Sequence, residues 1–237
     1  MSKGDIIGLI LSYVYAFGLM FGVEAIGKWS KWPQRVTRKF IHIGAGMWVW
    51  GVLYFFDHWY YGIIPFSTFI VLNYIFYRQQ SFKAMDTEES TLGTVYFAIS
   101  ITILFVLLWR TEGASDHIAL AIAAVMAMTW GDGLASLVGQ QWGNHKYERF
   151  GSTRSLEGST AMFIASFVSI TLTLWIIPGS TLSPNSIPLA SGTLLIIGLI
   201  SSAVATLAES LSPAGTDNLS VPLLSGATLY LLTMLIS

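Results

Sequence analysis

The chain has 237 residues, of which 54% are hydrophobic and 11% charged, with a formal net charge of −1 and no cysteine. Near-neutral charge argues against nucleic acid as a partner. The missing cysteines exclude disulfides, a thiolate nucleophile and zinc–sulfur sites.

The apolar residues cluster in uncharged runs of roughly the 20 residues that a bilayer-crossing helix needs. In chain order they are Ile6–Val23, Phe40–Phe56, Trp59–Tyr77, Leu92–Trp109, Ile118–Val138, Gly158–Ile177, Leu189–Ala208 and Leu219–Ile236. Only the fifth is interrupted by an acid, Asp132. A barrel would show short alternating segments, so helices are favoured. The expected fold is all-α: one polytopic integral membrane helix bundle over residues 1–237, with about eight transmembrane helices, or seven if one segment is re-entrant. Ten of the twelve lysines and arginines fall on one side of that arrangement, with only Lys3 and Arg110 on the other. The positive-inside rule makes the rich side cytoplasmic and leaves both termini extracytoplasmic. The first run reads as a retained helix rather than a signal peptide, and the absence of a transit-like leader fits a prokaryotic plasma membrane.

The first span carries Glu24, which either pairs with Lys28 one turn on or has a role of its own, as intramembrane acids often do. The stretch from Lys28 to His42 reads first as a positive-inside flank with aromatic anchors. His42 is not explained that way. It follows Arg38 by one helical turn, so the two share a face and could hold a phosphate at the interface. His58 and His117 fall in outer connections and read as interface residues. The loop from Arg78 to Gly93 contains Asp86, Glu88 and Glu89; it reads first as solvated, with Ser90 or Thr91 capping the next helix, and otherwise as carboxylates that help to hold a divalent cation.

The fifth span meets Asp132 towards the cytoplasmic side. A carboxylate there is costly and seldom retained without a partner. Gly131 and Gly133 let backbone loosen or approach a ligand, while Gly139 and Gly143 could equally be a helix-packing pair. The following loop supplies His145, Lys146, Arg149 and Arg154. Ser155 could cap the sixth span, whose N-terminus would attract phosphate. Glu157 either complements the helix dipole or binds metal with Asp132. The uncharged segment 178–188 carries no visible chemistry. Glu209 ends the seventh span, and Asp217 and Asn218 open the eighth. All these polar groups converge on one side, whereas a transporter would more often place them at the midplane.

Gly131-Asp132-Gly133-Leu134-Ala135, Gly139, Gly143 and Ser155-Leu156-Glu157-Gly158-Ser159 resemble the nucleotide loop of the CTP-dependent polyprenol kinase family, which includes dolichol, phytol and CTP-dependent diacylglycerol kinases. Arg38-Lys39-Phe40-Ile41-His42 resembles its early basic motif. Glu209 with Asp217-Asn218-Leu219-Ser220-Val221-Pro222 resembles its C-terminal motif, closest to the phytol kinase branch. Arg154 departs from the lysine frequent at that position. Phosphatidate cytidylyltransferase is similar more distantly, but its longer C-terminal aspartate signature is not evident.

The resemblance implies phosphoryl transfer from CTP to the hydroxyl of a membrane lipid alcohol, giving CDP and a lipid monophosphate. It implies nucleotide contacts at Gly131, Gly133, Gly139, Gly143, Lys146, Arg154, Ser155 and Gly158, with Arg38, Lys39, His42 and Asn218 towards substrate or phosphate. The residues suit this chemistry independently, because phosphoryl transfer mainly needs positioning and charge neutralisation. Magnesium would be held by oxygen ligands, with Asp132 leading and Glu157, Glu209 and Asp217 as further candidates. Catalytic roles fall to Asp132, His42 and Glu157, and the base is Asp132 or His42. Phytol, farnesol, longer prenols and diacylglycerol share the same head-end chemistry. The competing expectations are a cytidylyltransferase releasing pyrophosphate, and a small transporter.

Overall fold

The structure is a computed structural model that describes residues 1–79, 91–110 and 116–236. Asp86, Glu88, Glu89 and Ser90 lie outside the described residues. The elements are α1 (Lys3–Trp29), α2 (Gln34–Phe55), α3 (Trp59–Gln79), α4 (Gly93–Leu108), α5 (Ile118–Trp142), β1 (Lys146–Arg149), β2 (Ser152–Ser155), α6 (Leu156–Ile176), α7 (Ser191–Leu211) and α8 (Asp217–Ile236). The described residues therefore form an all-α membrane bundle carrying one small β-hairpin. By length and composition, six of the helices are able to cross a membrane; α4 is apolar but has 16 residues, and α2 opens with Arg35, Arg38 and Lys39.

The helices outrun the apolar runs at one end. α1 continues past Val23 to Trp29, and the Lys28 ammonium meets Glu24 at 2.7 Å one turn back. Backbone hydrogen bonds need no apolar side chains, so a helix passes into the interface wherever i,i+4 pairs and caps support it. At the other end of α1, Ser2 and Asp5 form a reciprocal capping box.

α5 is the hub, packing against α2, α4, α6, α7 and α8. Every residue from Ile118 to Thr129 is buried. Many are alanines, which let neighbouring backbones approach from all sides where lipid supplies no hydrophobic drive. The span interrupted by an acid is thus the central helix. The outer helices turn stripes at helical spacing away from the core, such as Ile6, Ile10 and Val14 on α1 and Ile164, Val168 and Leu172 on α6. Exposed apolar stripes of this kind belong against hydrocarbon.

At the end opposite the hairpin, two buried acids tie connections together. Asp5 accepts the backbone N–H groups of Asp57 and His58 at 3.1 and 3.2 Å and contacts the His58 ring at 2.8 Å. Asp116 accepts from the backbone of Arg110 and Ile118 and from the Ser183 hydroxyl. Burial raises the Asp116 carboxyl above its ordinary value, and the three donors pull against that rise. Composition alone did not single out either acid.

Candidate functional site

The loop between α5 and α6 is a hairpin pairing Lys146 with Ser155 and Arg149 with Ser152. Its two-residue turn, Phe150 and Gly151, has φ of 46° and 75°. Positive φ at both positions matches the right-handed twist of the strands. Ser155 then caps α6, accepting the Gly158 N–H at 3.1 Å. Glu157 makes its contacts at the base of the hairpin. It accepts the His145 backbone N–H and contacts the His145 ring at 2.7 Å, which clamps the hairpin base to α6.

The glycines sit at helix crossings. A Cβ on Gly158 would meet the Ala135 carbonyl at 2.9 Å, and one on Gly139 would meet Ser155 Oγ at 3.1 Å. Gly143 faces the same serine. Gly131 lies against Met162 and Ser166, and Gly133 against Ile43. Close α5–α6 and α5–α2 approach accounts for Gly131, Gly133, Gly139 and Gly158, as a small-residue interface requires, while Gly143 caps α5 and a Cβ there would first meet the Gly139 carbonyl.

Arg154, on β2, is partly buried between two acids. It is ion-paired with Glu209 Oε1, lies 3.3 Å from Asp217 Oδ2 and donates to the Ser212 carbonyl at 3.1 Å. It therefore joins the hairpin to the end of α7 and the start of α8. Among the described residues, Glu209 Oε2 has no hydrogen-bond partner. Lys146 is exposed on β1.

The polar residues that converge do so at a cavity of about 450 Å³ between α1, α2, α3, α4 and α5, closed on one side by the start of α8. Its hairpin-side mouth is lined by Arg35, Arg38, Lys39, His42, Asp132 and Asp217, with Asn218 beside them. Asp132 is 6% exposed. Lys39 Nζ lies 2.6 Å from Asp132 Oδ2, and His42 Nε2 lies 3.6 Å from the same oxygen. Asp217 and Arg154 are both within electrostatic reach of Asp132. Lys146, Glu157, Glu209 and the five glycines do not line the cavity. Among the described residues, no three His, Asp or Glu side chains gather into a metal cage.

Sequence reasoning missed Ser136 and Gln140, which line the cavity and are bonded to each other at 2.8 Å. The signal was present: they follow Asp132 at i+4 and i+8, on one helical face. Thr91, read from the sequence only as a helix cap, and Gly215, which was missed, also line the cavity. Thr91 Oγ1 accepts the Gly93 N–H at 3.4 Å, beside Leu92, which occupies the cap position of α4 without a side-chain bond. Gly215 has φ 84° and packs on Thr91, so a side chain there would be both strained and blocked. Away from the mouth the cavity wall turns apolar, with Tyr15, Leu19, Met20, Trp48, Phe66 and Phe97 among its residues.

Comparison with known proteins yields no matching family model and no matching solved structure. Curated sequences do match. The chain is 33% identical over 221 residues to the phytol kinase of Synechocystis sp., covering 92% of this chain and 87% of that protein. It is 28% identical to the probable phytol kinase 3, chloroplastic, of Glycine max, covering 93% and 70%. It is 26% identical to the chloroplastic farnesol kinase of Arabidopsis thaliana, covering 94% and 76%.

Proposed function

Since the chain belongs to the phytol kinase family, we propose that it phosphorylates the hydroxyl of a membrane isoprenoid alcohol of the phytol or farnesol type, using CTP and releasing CDP. The observation that carries this reading is the cavity, which joins an apolar wall to a mouth containing both cations and carboxylates. A lipid alcohol has the same polarity along its length. Its tail would lie among Tyr15, Phe66 and Phe97, and its hydroxyl would meet His42 before the charged groups beyond.

The residues at the mouth suit phosphoryl transfer by positioning and charge neutralisation. Arg35, Arg38 and Lys39 supply positive charge for phosphate oxygens. Asp132 and Asp217 are oxygen donors on one cavity, and magnesium needs only one or two carboxylates beside the substrate phosphates, so these residues fit the ion. Bound magnesium would neutralise charge on the phosphates. Lys39 then exchanges Asp132 for a phosphate oxygen. His42, one turn deeper than Arg38, accepts the hydroxyl proton. Arg154 acts by holding Asp217 and the hairpin in place, and Glu157 by fixing the hairpin base. The hairpin end faces the cytoplasm, where CTP is available.

The test is incubation of bilayer-reconstituted protein with magnesium, γ-labelled CTP or ATP, and a panel of lipid alcohols. We expect labelled lipid monophosphate and CDP, with CTP preferred. A CDP-lipid with pyrophosphate would make the protein a cytidylyltransferase. Equal turnover with ATP would remove CTP from the reading.

A further inference from the structure

Helix direction orders the lining of the cavity by depth. α2 runs inward from the mouth, so Arg38, His42, Ala45 and Trp48 line it in order of increasing depth. At 1.5 Å per residue, Trp48 lies about 9 Å beyond His42. α1 runs the other way, and its deepest lining residue is Ser12. These two residues are bonded to each other. Trp48 Nε1 donates to Ser12 Oγ at 2.9 Å, and Ser12 Oγ donates to the Gly8 carbonyl at 2.7 Å.

The indole is held from other directions too. Tyr15 stacks on it with ring centroids 4.4 Å apart, and the Tyr15 hydroxyl donates to the Gly44 carbonyl at 2.8 Å. A Cβ on Gly51 would meet the ring at 2.7 Å, so backbone approaches it closely. Deeper along α2, Val49, Val52, Leu53 and Phe56 belong to the packed core. An indole with a satisfied N–H, a stacked neighbour and backbone against it has little freedom to swing aside.

We propose that Trp48, pinned by Ser12 and Tyr15, is the floor of the tail channel and sets the longest isoprenoid alcohol that the site accepts. This rests on reading the cavity as the lipid-alcohol site. A tail longer than the channel has to displace a hydrogen-bonded indole, and a shorter one leaves apolar volume unfilled. Ala45 lies three residues from both His42 and Trp48, and a large side chain there would raise the floor.

The test uses protein in lipid nanodiscs and a ladder of prenols that differ by one isoprene unit, with kcat/KM measured for each. For wild type, kcat/KM should fall beyond a limiting length. Trp48→Ala should raise the ratio of the first excluded alcohol to the preferred one by about tenfold, the scale of hydrophobic-pocket discrimination. Ser12→Ala should move the ratio the same way by less, and Ala45→Phe should shift preference to shorter alcohols. If Trp48→Ala does not fold, the other two variants still oppose each other and carry the test. Unchanged ratios, or a loss equal at every length, would overturn the proposal. Turnover with unchanged ratios sinks the floor alone; no turnover of any prenol by wild type overturns the functional reading as well.

Discussion

Lys39 Nζ lies 2.6 Å from Asp132 Oδ2, tying the start of α2 to the central helix α5 across the mouth of the cavity. The side chains are 23% and 9% exposed, so the pair is largely withdrawn from water. A buried pair is worth little over an apolar substitute, but breaking it leaves an uncompensated charge. The arrangement gives Asp132 a cationic partner inside the bundle.

Asp132→Asn should therefore reduce turnover by about two orders of magnitude or more, because charge stabilisation at the transferred group is worth several kcal/mol. Lys39→Met should destabilise the bundle by roughly 3 kcal/mol, and the double variant should regain most of that loss. Thermal unfolding in nanodiscs beside magnesium-dependent turnover checks both. A folded Asp132→Asn protein with near-normal turnover would remove Asp132 from the site.

Arg154 reaches Glu209, Asp217 and the Ser212 carbonyl from one planar head. A lysine ammonium is a point charge and cannot match that fork. Arg154→Gln should cost roughly 3 kcal/mol by leaving two buried acids without their cation. Arg154→Lys should cost less. Hydrogen exchange of the 146–155 hairpin should rise in the same order. Equal protection in both variants would mean that the arginine does not anchor the hairpin.

From the asymmetry of the cations we propose that the hairpin end faces the cytoplasm. Asn144, beside the hairpin, and Asn185, in the α6–α7 connection, are both exposed. Because the native chain has no cysteine, single cysteines at these positions can be labelled cleanly in intact cells. We expect Asn185→Cys to react with an impermeant reagent from outside and Asn144→Cys only after permeabilisation. Reaction of both from outside would reverse the assignment.

The sequence by itself determined the class of fold and which end of the bundle carries most of the cations. Uncharged runs of bilayer length have one economical outcome in lipid, and cations gathered on one side mark one end. It also determined that Asp132 needs a partner, because a carboxylate within an apolar run cannot stay ionised alone.

Only the tertiary structure decided which partner. Lys39 and Asp132 are far apart in the chain, and no local pattern distinguishes Lys39 from Arg38, Lys146 or Arg154. The structure assigns Arg154 to Glu209 and Asp217, Glu157 to His145, and the glycines to helix crossings. Read in one dimension, the glycines suited helix packing or a nucleotide loop, and Glu157 suited the helix dipole or a metal. The hairpin turn escaped notice because its first left-handed residue is Phe150 rather than the Asn or Gly that such turns favour. The channel was invisible for a different reason. In a membrane chain apolar residues are everywhere, so the few that face a cavity rather than lipid or core are chosen by helix rotation and packing. Trp48 became distinct only when Ser12 and Tyr15, on another helix, were found holding it.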